Sequence, residues 1–442
     1  VWLQQEQRSA GSHVRCICIK PIRGRKTKTM NPLASDAKTL GCLTPGPELL
    51  KQLMLQPLAS TPLRVCSGGS TSRCAGNGCW TVDLRRHREV SYHQDSMEVE
   101  FGTGLSMGEL LLSLRASERS IPIGLSGLTG SGFILTGGMG PLSRLQGLAL
   151  DSITAIEGIW GSGVPFALQK DQTTEGDHRW RGLMGASAFL AVVTRLRLRT
   201  QRRQPLRVRH GLIDPSQLPE LINIAEGWPE TCSLQWNWGD RLEIYAVDCS
   251  SEQPTPQTLK DLDPILGTGQ QAVIQHCMDQ LEQPTFGRLA SETTDSVPFH
   301  SEVVARLGPA MGPEAGPLMQ LLSSRMQERP HRGCRISAQQ LGGATTRIGR
   351  RSTSFIHRDS VWKPWITAAW TPGDQAERQQ SLQWMHQVSK DFSTTCPGVH
   401  LAQLHDHLPS HQSELVDAFG EWLPELRQLK SELDPQGRLP PL

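Results

Sequence analysis

Arg64-Val-Cys-Ser-Gly-Gly-Ser-Thr-Ser-Arg-Cys-Ala-Gly-Asn-Gly-Cys-Trp-Thr-Val-Asp-Leu84 is a glycine- and serine-rich loop set between two strand-like pieces. Gly68 and Gly69 let successive backbone N–H groups turn toward one point, and Ser67, Ser70 and Thr71 add hydroxyl donors around it, so the stretch reads as a phosphate cradle. The residues that follow, Trp80-Thr-Val-Asp-Leu84, alternate and are β-rich. A strand after the loop excludes the Walker pattern and the dinucleotide Gly-x-Gly-x-x-Gly pattern, both of which need a helix there. Taken alone, a Gly/Ser loop is more often a plain turn, so its meaning depends on its surroundings.

Working outward, residues 47–58 place apolar side chains on one helical face. Residues 98–105 read as an alternating strand and turn, and Ser106 followed three residues on by Glu109 forms a capping box that opens a helix. The run Pro122-Ile-Gly-Leu-Ser-Gly-Leu-Thr-Gly-Ser-Gly-Phe-Ile-Leu-Thr-Gly-Gly-Met-Gly140 holds seven glycines in 19 residues. Glycine weakens ordered segments, so this density points to backbone lying against something bulky and flat, or to very tight packing of elements. A helical turn is expected over 141–150, a strand over 151–160, and a second strand over 188–200 that begins apolar and then alternates. The charged and proline-containing 201–205 marks a boundary. Beyond it, strands at 233–238, 241–247 and 361–370 alternate with helices, a long amphipathic helix covers about 375–391, and helix continues near the end until Asp434-Pro435 stops it.

The 442 residues suffice for two domains, one of them discontinuous, and carry a net charge of only +2. Residues 1–30 nevertheless hold seven basic side chains (Arg8, Arg15, Lys20, Arg23, Arg25, Lys26, Lys28) against the single acid Glu6. Without aromatic interleaving or a cleavage pattern, this leader reads as a disordered extension, or as residues ahead of a true start at Met30, rather than a nucleic-acid arm or a targeting signal. No apolar window approaches the 18 residues of a membrane span. Eleven cysteines scattered without a Cys-x-x-Cys pair argue against a disulfide scaffold and for a reducing, cytoplasmic setting. The spacing of Cys16/Cys18 and Cys74/Cys79 fits no common zinc site, and His400, His405, His407 and His411 lack helical ligand spacing, so no metal is expected.

The order of these pieces resembles the FAD-binding domain of the PCMH-type, vanillyl-alcohol oxidase superfamily, and within it the berberine-bridge-like oxidases. The elements that carry the likeness are the Ser-Gly-Gly-Ser loop before Val-Asp-Leu, Gly102-Thr-Gly104 and a helix, Leu135-Thr-Gly-Gly-Met-Gly-Pro-Leu-Ser-Arg144, Gly147-Leu-Ala-Leu-Asp151, and Gly185-Ala-Ser-Ala-Phe-Leu-Ala-Val-Val-Thr194. Phe355-Ile-His-Arg-Asp359 followed by 362–370 looks like a substrate-domain segment of those oxidases, and Leu429-Lys-Ser-Glu-Leu-Asp-Pro-Gln-Gly437 like their C-terminal ending. The resemblance implies an α+β, two-domain fold. A leader spans 1–35, an FAD-binding domain 36–205, and a substrate domain of antiparallel sheet plus helices 206–395, while 396–442 returns to the FAD domain. By motif position, Ser67, Gly68, Gly69, Ser70 and Thr71 hold the FAD pyrophosphate. Thr129, Gly130, Ser131, Gly132, Gly137, Gly138 and Gly140 line the cofactor, and Ile159 and Val193 approach it through their backbones.

This chain departs from the pattern where the family bonds its flavin covalently. Ser70 stands where many members carry His, and Ser126 where bicovalent members carry Cys, so the FAD is expected to be non-covalent. Thr136, Met184 and Ala191 each add bulk where glycine is usual. The Tyr-x-Asn-Tyr-x-Asp segment that supplies the active-site base becomes Leu401-Ala-Gln-Leu-His-Asp406, and the chain has only Tyr92 and Tyr245. His405 and Asp406 are therefore candidate replacements for the base, with His357 and Tyr245 as further candidates. The five tryptophans at 236, 238, 362, 365 and 370 are read as sheet core. The expectation is an oxidoreductase that takes hydride from an alcohol, hydroxy-acid or amine carbon of a small molecule, with oxygen among the acceptors to consider. The alternative is a catalytically inactive protein of the same fold that binds a ligand or partner.

Overall fold

The computed structural model describes residues 39–55, 62–71, 74–124, 126–173, 177–203, 205–250, 257–266, 273–275 and 299–442. The basic leader and its start at Val1 or Met30 lie outside them. Among the described residues no helix is long and apolar enough to cross a membrane.

The first half builds two small sheets around the cradle loop. Strands β1 (Gly41–Leu43), β2 (Leu63–Cys66) and β3 (Trp80–Asp83) pair in parallel with β3 central, and helix α1 (Pro47–Leu55) connects the first two. Next come β4 (Val90–His93), β5 (Glu98–Gly102), helix α2 (Met107–Leu114), the short β6 (Arg119–Ser120), β7 (Ile153–Trp160), β8 (Pro165–Gln169), helix α3 (His178–Leu190), β9 (Ala191–Arg199) and the short β10 (Gln201–Arg202). An antiparallel sheet of order β4-β5-β9-β7-β8 results. The Ser106/Glu109 capping box is present at the start of α2. The segment 188–190, read from its apolar run as strand, is the end of α3: a short apolar run alone does not separate a buried helix from a buried strand.

The second half forms one antiparallel sheet of eight strands. In chain order these are β11 (Leu206–Ile213), helix α4 (Leu218–Glu226), β12 (Cys232–Trp238), β13 (Leu242–Asp248), β14 (Val273–Gln275), β15 (His300–Leu307), helix α5 (Ala315–Gln327), β16 (Arg335–Gln340), β17 (Trp362–Trp370), helix α6 (Gln375–Phe392) and β18 (Gly398–His400). Their spatial order is β14-β11-β13-β12-β16-β17-β15-β18. Because β18 pairs with β15, the sheet reaches past residue 395 to His400. The strands alternate cleanly. Leu234, Trp236, Trp238, Ile244, Ala246, Ile336, Ala338, Trp362 and Ile366 share one core with residues of α4, α5 and α6. Tyr245, Val247, Val208, Leu307 and Leu341 face the other way, into the core of the first half. Trp365 falls on that second face, so it does not join the tryptophan core assigned to it.

Helices α7 (His411–Phe419) and α8 (Leu423–Leu433) return the chain to the first half. Lys430 Nζ on α8 donates to the Phe189 carbonyl at 2.8 Å and pairs with Asp434. Asp434 accepts the N–H groups of Arg438 and Leu439, each at 2.9 Å. This explains the Lys…Asp-Pro ending physically: a lysine and an aspartate close the C-terminus onto the last turn of α3.

Two buried arginines hold the halves together. Arg358 is 1% exposed, and its guanidinium pairs with both Asp151 oxygens at 2.9 Å while bonding the Phe355 carbonyl and Thr353 hydroxyl. Asp359, the next residue in sequence, pairs instead with Arg350. From the opposite side, Arg144 donates to the carbonyls of Leu341 (2.6 Å) and Trp228 (2.7 Å). Replacing Arg358 with Met leaves Asp151 without its buried counter-charge and should lower stability by about 3–5 kcal/mol. A urea-unfolding midpoint unchanged from the parent would contradict this role for the pair.

Candidate functional site

A cavity of about 240 Å³ opens between the cradle and the sheet. One wall is the loop 67–71 together with Thr129, Gly130, Ser131 and Gly132. The two loops are locked: Ser67 Oγ donates to the Thr103 carbonyl at 2.5 Å and accepts the Ser131 N–H at 3.0 Å, and Ser131 Oγ bonds the same carbonyl at 3.1 Å. Gly68 and Gly130 touch backbone to backbone, and a Cβ on either would collide with the nitrogen of the other. Gly69 takes φ 68°, a left-handed conformation suited to glycine. Among the described residues, the N–H groups of Gly68 and Gly69 meet no protein acceptor.

The facing wall comes from the second half, with Lys363 on β17, His400 on β18, and Ala402 and Leu404 just beyond. His400 Nε2 lies 2.8 Å from the Thr136 carbonyl, which ties the end of the sheet to the glycine-rich run. Lys363 is half-buried and lines the cavity. Its Nζ sits 5.2 Å from the Trp365 ring centroid, and burial pushes its pKa down to about 8. Strand register extends this polar face inward, because Lys363 pairs with Gln339, Gln339 with Gln235, and Gln235 with Tyr245.

Several residues expected by motif position lie on the cavity: Ser67, Gly68, Gly69, Ser70, Thr71, Thr129, Gly130, Ser131, Gly132 and Val193. Gly137, Gly138, Gly140 and Ile159 are not among its lining. Gly138 packs on Ala149 and Gly140 on the Ile123 carbonyl, where a side chain would collide, so these two glycines serve tight packing. Gly137 stands beside His400, and Ile159 is buried in the small core under β2 and β3. Thr136 and Ala191 do reach the cavity, whereas Met184 packs in the core beside Gly185. Ser126 turns away from the cavity, its hydroxyl accepting the Leu128 N–H at 3.3 Å.

The four candidate catalytic residues are placed elsewhere. His405 is 2% exposed and held between Glu414 (Nδ1–Oε2 2.6 Å) and Glu302 (Nε2–Oε1 3.4 Å), so both ring nitrogens face carboxylates rather than the cavity. Asp406 pairs with Arg64. His357 lies 2.7 Å from the Asp417 carbonyl with its ring against Gly398, and burial lowers its pKa. Tyr245 is buried in β13, three strands from Lys363, or roughly 14 Å at ~4.8 Å per strand. Lys363 is not among the residues singled out from the sequence, and His400 enters there only as a candidate metal ligand. Lysine inside an alternating strand, between Trp362 and Trp365, was the available signal.

Two buried clusters border the site. The Cys66 thiol donates to Cys74, which lowers the Cys74 pKa and raises that of Cys66, and Cys74 also lines the cavity. In the second cluster, burial alone would lower the His405 pKa, but hydrogen bonds to Glu302 and Glu414 and their charges raise it to about 10. Burial likewise opposes ionisation of Glu302, yet the bonds from His405 and His407 bring its pKa down to about 2.

The comparisons with known proteins converge on the same reading. Residues 57–166 match the family model described as an FAD binding domain. The chain is 22% identical over 395 residues to the FAD-linked oxidoreductase YgaK of Bacillus subtilis, covering 81% of this chain and 80% of that one. It is 21% identical over 360 residues to the aclacinomycin oxidase of Streptomyces galilaeus, covering 72% and 65%. Its fold superposes on chitooligosaccharide oxidase with a TM-score of 0.79 at 16% identity, covering 93% of this chain and 92% of that one. It superposes on berberine bridge enzyme from Eschscholzia californica with a TM-score of 0.74 at 17% identity, covering 93% and 91%. The chain is thus similar to FAD-linked oxidoreductases over most of its length, and residues 57–166 match an FAD binding domain. Its fold is the one seen in chitooligosaccharide oxidase and berberine bridge enzyme.

The residues present fit that cofactor. The Gly68 and Gly69 N–H groups are donors awaiting an anion, and the bare Gly68–Gly130 contact leaves no room for side chains beside it. Gly68→Ala should abolish FAD binding, since Gly130 offers only backbone to yield. Unaltered flavin content in purified G68A would refute the cradle. For the buried histidine, the charged form held by two carboxylates stabilises the fold fully below about pH 6.5, and this contribution is lost as pH rises toward 10. The contribution of Glu302 is complete above about pH 4.5 and lost as pH falls toward 2. His405→Gln should therefore flatten the decline in melting temperature between pH 6.5 and 10, and an unchanged alkaline slope would exclude this origin.

Proposed function

We propose that the protein binds FAD non-covalently and oxidises an alcohol, hydroxy-acid or amine carbon of a small-molecule substrate. The observation that carries this reading is the cavity itself, with a phosphate cradle on one wall and a polar sheet face bearing titratable groups on the other. When bound, FAD supplies the hydride acceptor. The chain supplies the rest. Ser67, Ser70, Thr71 and the Gly68 and Gly69 N–H groups hold the diphosphate. Val193 and Ala191 on β9 bound the cofactor's path, and the β17 and β18 ends form the facing wall. Electrons pass onward to an acceptor such as oxygen.

Non-covalent attachment follows from side-chain chemistry. A serine hydroxyl at 70 replaces the imidazole that tethers flavin in related oxidases, and Ser126 is turned to its own loop. The unbridged, touching thiols Cys66 and Cys74 suit a reducing setting, for which we propose the cytoplasm.

Purified protein should show flavin absorbance, natively or after reconstitution with FAD. A preparation that stays colourless after reconstitution would sink the proposal. Acid precipitation should release all the flavin into the supernatant, and yellow pellets would show a covalent bond.

A further inference from the structure

We propose that Lys363 is the proton acceptor of the oxidation, taking the hydroxyl proton of an alcohol substrate as its carbon is oxidised. This rests on the FAD-dependent reading above and gives it a substrate class and a base.

The argument begins with what the site lacks. The segment 401–406 contains no tyrosine, and His405 and Asp406 are both committed to ion pairs. Among the lining residues, the titratable side chains are Cys74, Lys363 and His400. Cys74 belongs to the cradle wall and is engaged with Cys66 and the Thr71 carbonyl. His400 has its Nε2 at the Thr136 carbonyl. Lys363 lines the cavity from the sheet wall, where no hydrogen bond or ion pair among the described residues engages it.

Its surroundings favour a neutral amine. On β16 the register neighbour is Gln339, 5% exposed, whose Nε2 finds no acceptor among the described residues. The β15 side of the same face presents Ala305 and Leu307. On its own strand the Trp365 ring face, 5.2 Å from Nζ, favours the ammonium, but a ring quadrupole does so more weakly than a carboxylate. Gln339 brings no charge, and no carboxylate lies on the cavity wall to hold an ammonium. A partly buried amine without a carboxylate partner loses its proton more readily, and its lone pair is then a competent general base. Burial lowers its pKa to about 8, so close to half the amines are neutral at slightly alkaline pH.

The step balances. The carbon-bound hydrogen leaves with its electron pair to the oxidised flavin, the O–H bond breaks to give its proton to neutral Nζ, and a C=O double bond forms. The resulting ammonium returns its proton to solvent.

The test uses the full-length, FAD-loaded protein with glucose and benzyl alcohol as probes, following anaerobic flavin bleaching against pH in the parent, Lys363→Met and Lys363→Arg. Bleaching by the parent should rise through a step near pH 8. Both variants should keep their flavin spectrum, lose the step and slow by about 10²–10⁴-fold, the range of a general base. Ethylamine added to K363M should restore part of the rate. A K363M rate and pH step equal to the parent's would overturn the proposal.

A second measurement needs neither substrate nor flavin reduction. Reductive ¹³C-methylation followed by NMR titration should show one amine, absent from K363M, titrating near pH 8. Titration of that amine above pH 10 would overturn the proposal even with FAD bound. Failure of the parent to take up FAD would instead refute the cofactor reading. If neither probe bleaches the flavin, the amine titration decides.

Discussion

The pairing of Arg358 with Asp151 is the contact on which the site depends. It joins the segment before β17 to the short turn before β7, burying a full charge pair between the two halves of the molecule. Arg144 answers it from the first half by capping carbonyls of the second. Such groups tolerate little displacement, because a buried charge pulled from its partner is far more expensive than one in water. The result is a fixed separation between the cradle wall and the sheet wall, and hence a cavity of defined shape rather than a hinge.

Within that frame, glycine works by closeness as much as by flexibility. Gly68 against Gly130 brings two loops into backbone contact, so separate parts of the chain form one continuous wall of the cavity. Gly138 and Gly140 do the same for packing beneath the site and never reach the cavity. One glycine-rich run thus serves two purposes. Its first part builds the wall, and its second part lets the segment settle onto Ala149 and Ile123.

Strand alternation distributes chemistry in the second half. The same pleat that sends Trp236, Trp362 and Ile366 into the helix-covered core turns Gln235, Gln339 and Lys363 to the opposite face. A polar row buried on the inner face of a sheet is a poor way to build a core and a good way to line a binding site. Trp365 lies on this same face, one pair further along β17 opposite Ser337, which is why it does not join the tryptophan core.

The sequence by itself determined the Gly/Ser loop, the capping box at Ser106, most strands and helices, and the likeness to FAD-linked oxidoreductases, because these rest on local backbone chemistry and on the order of short motifs. It also showed in advance that the family's tyrosines are gone. Only the tertiary structure decided which titratable groups meet the cavity. His405 and Asp406 occupy the motif position of a base, yet Glu302, Glu414 and Arg64, all distant in sequence, claim them. Lys363 is placed beside Gln339 and opposite the 67–71 loop only by strand register. Long-range pairing sets burial and neighbouring charge, and those set reactivity.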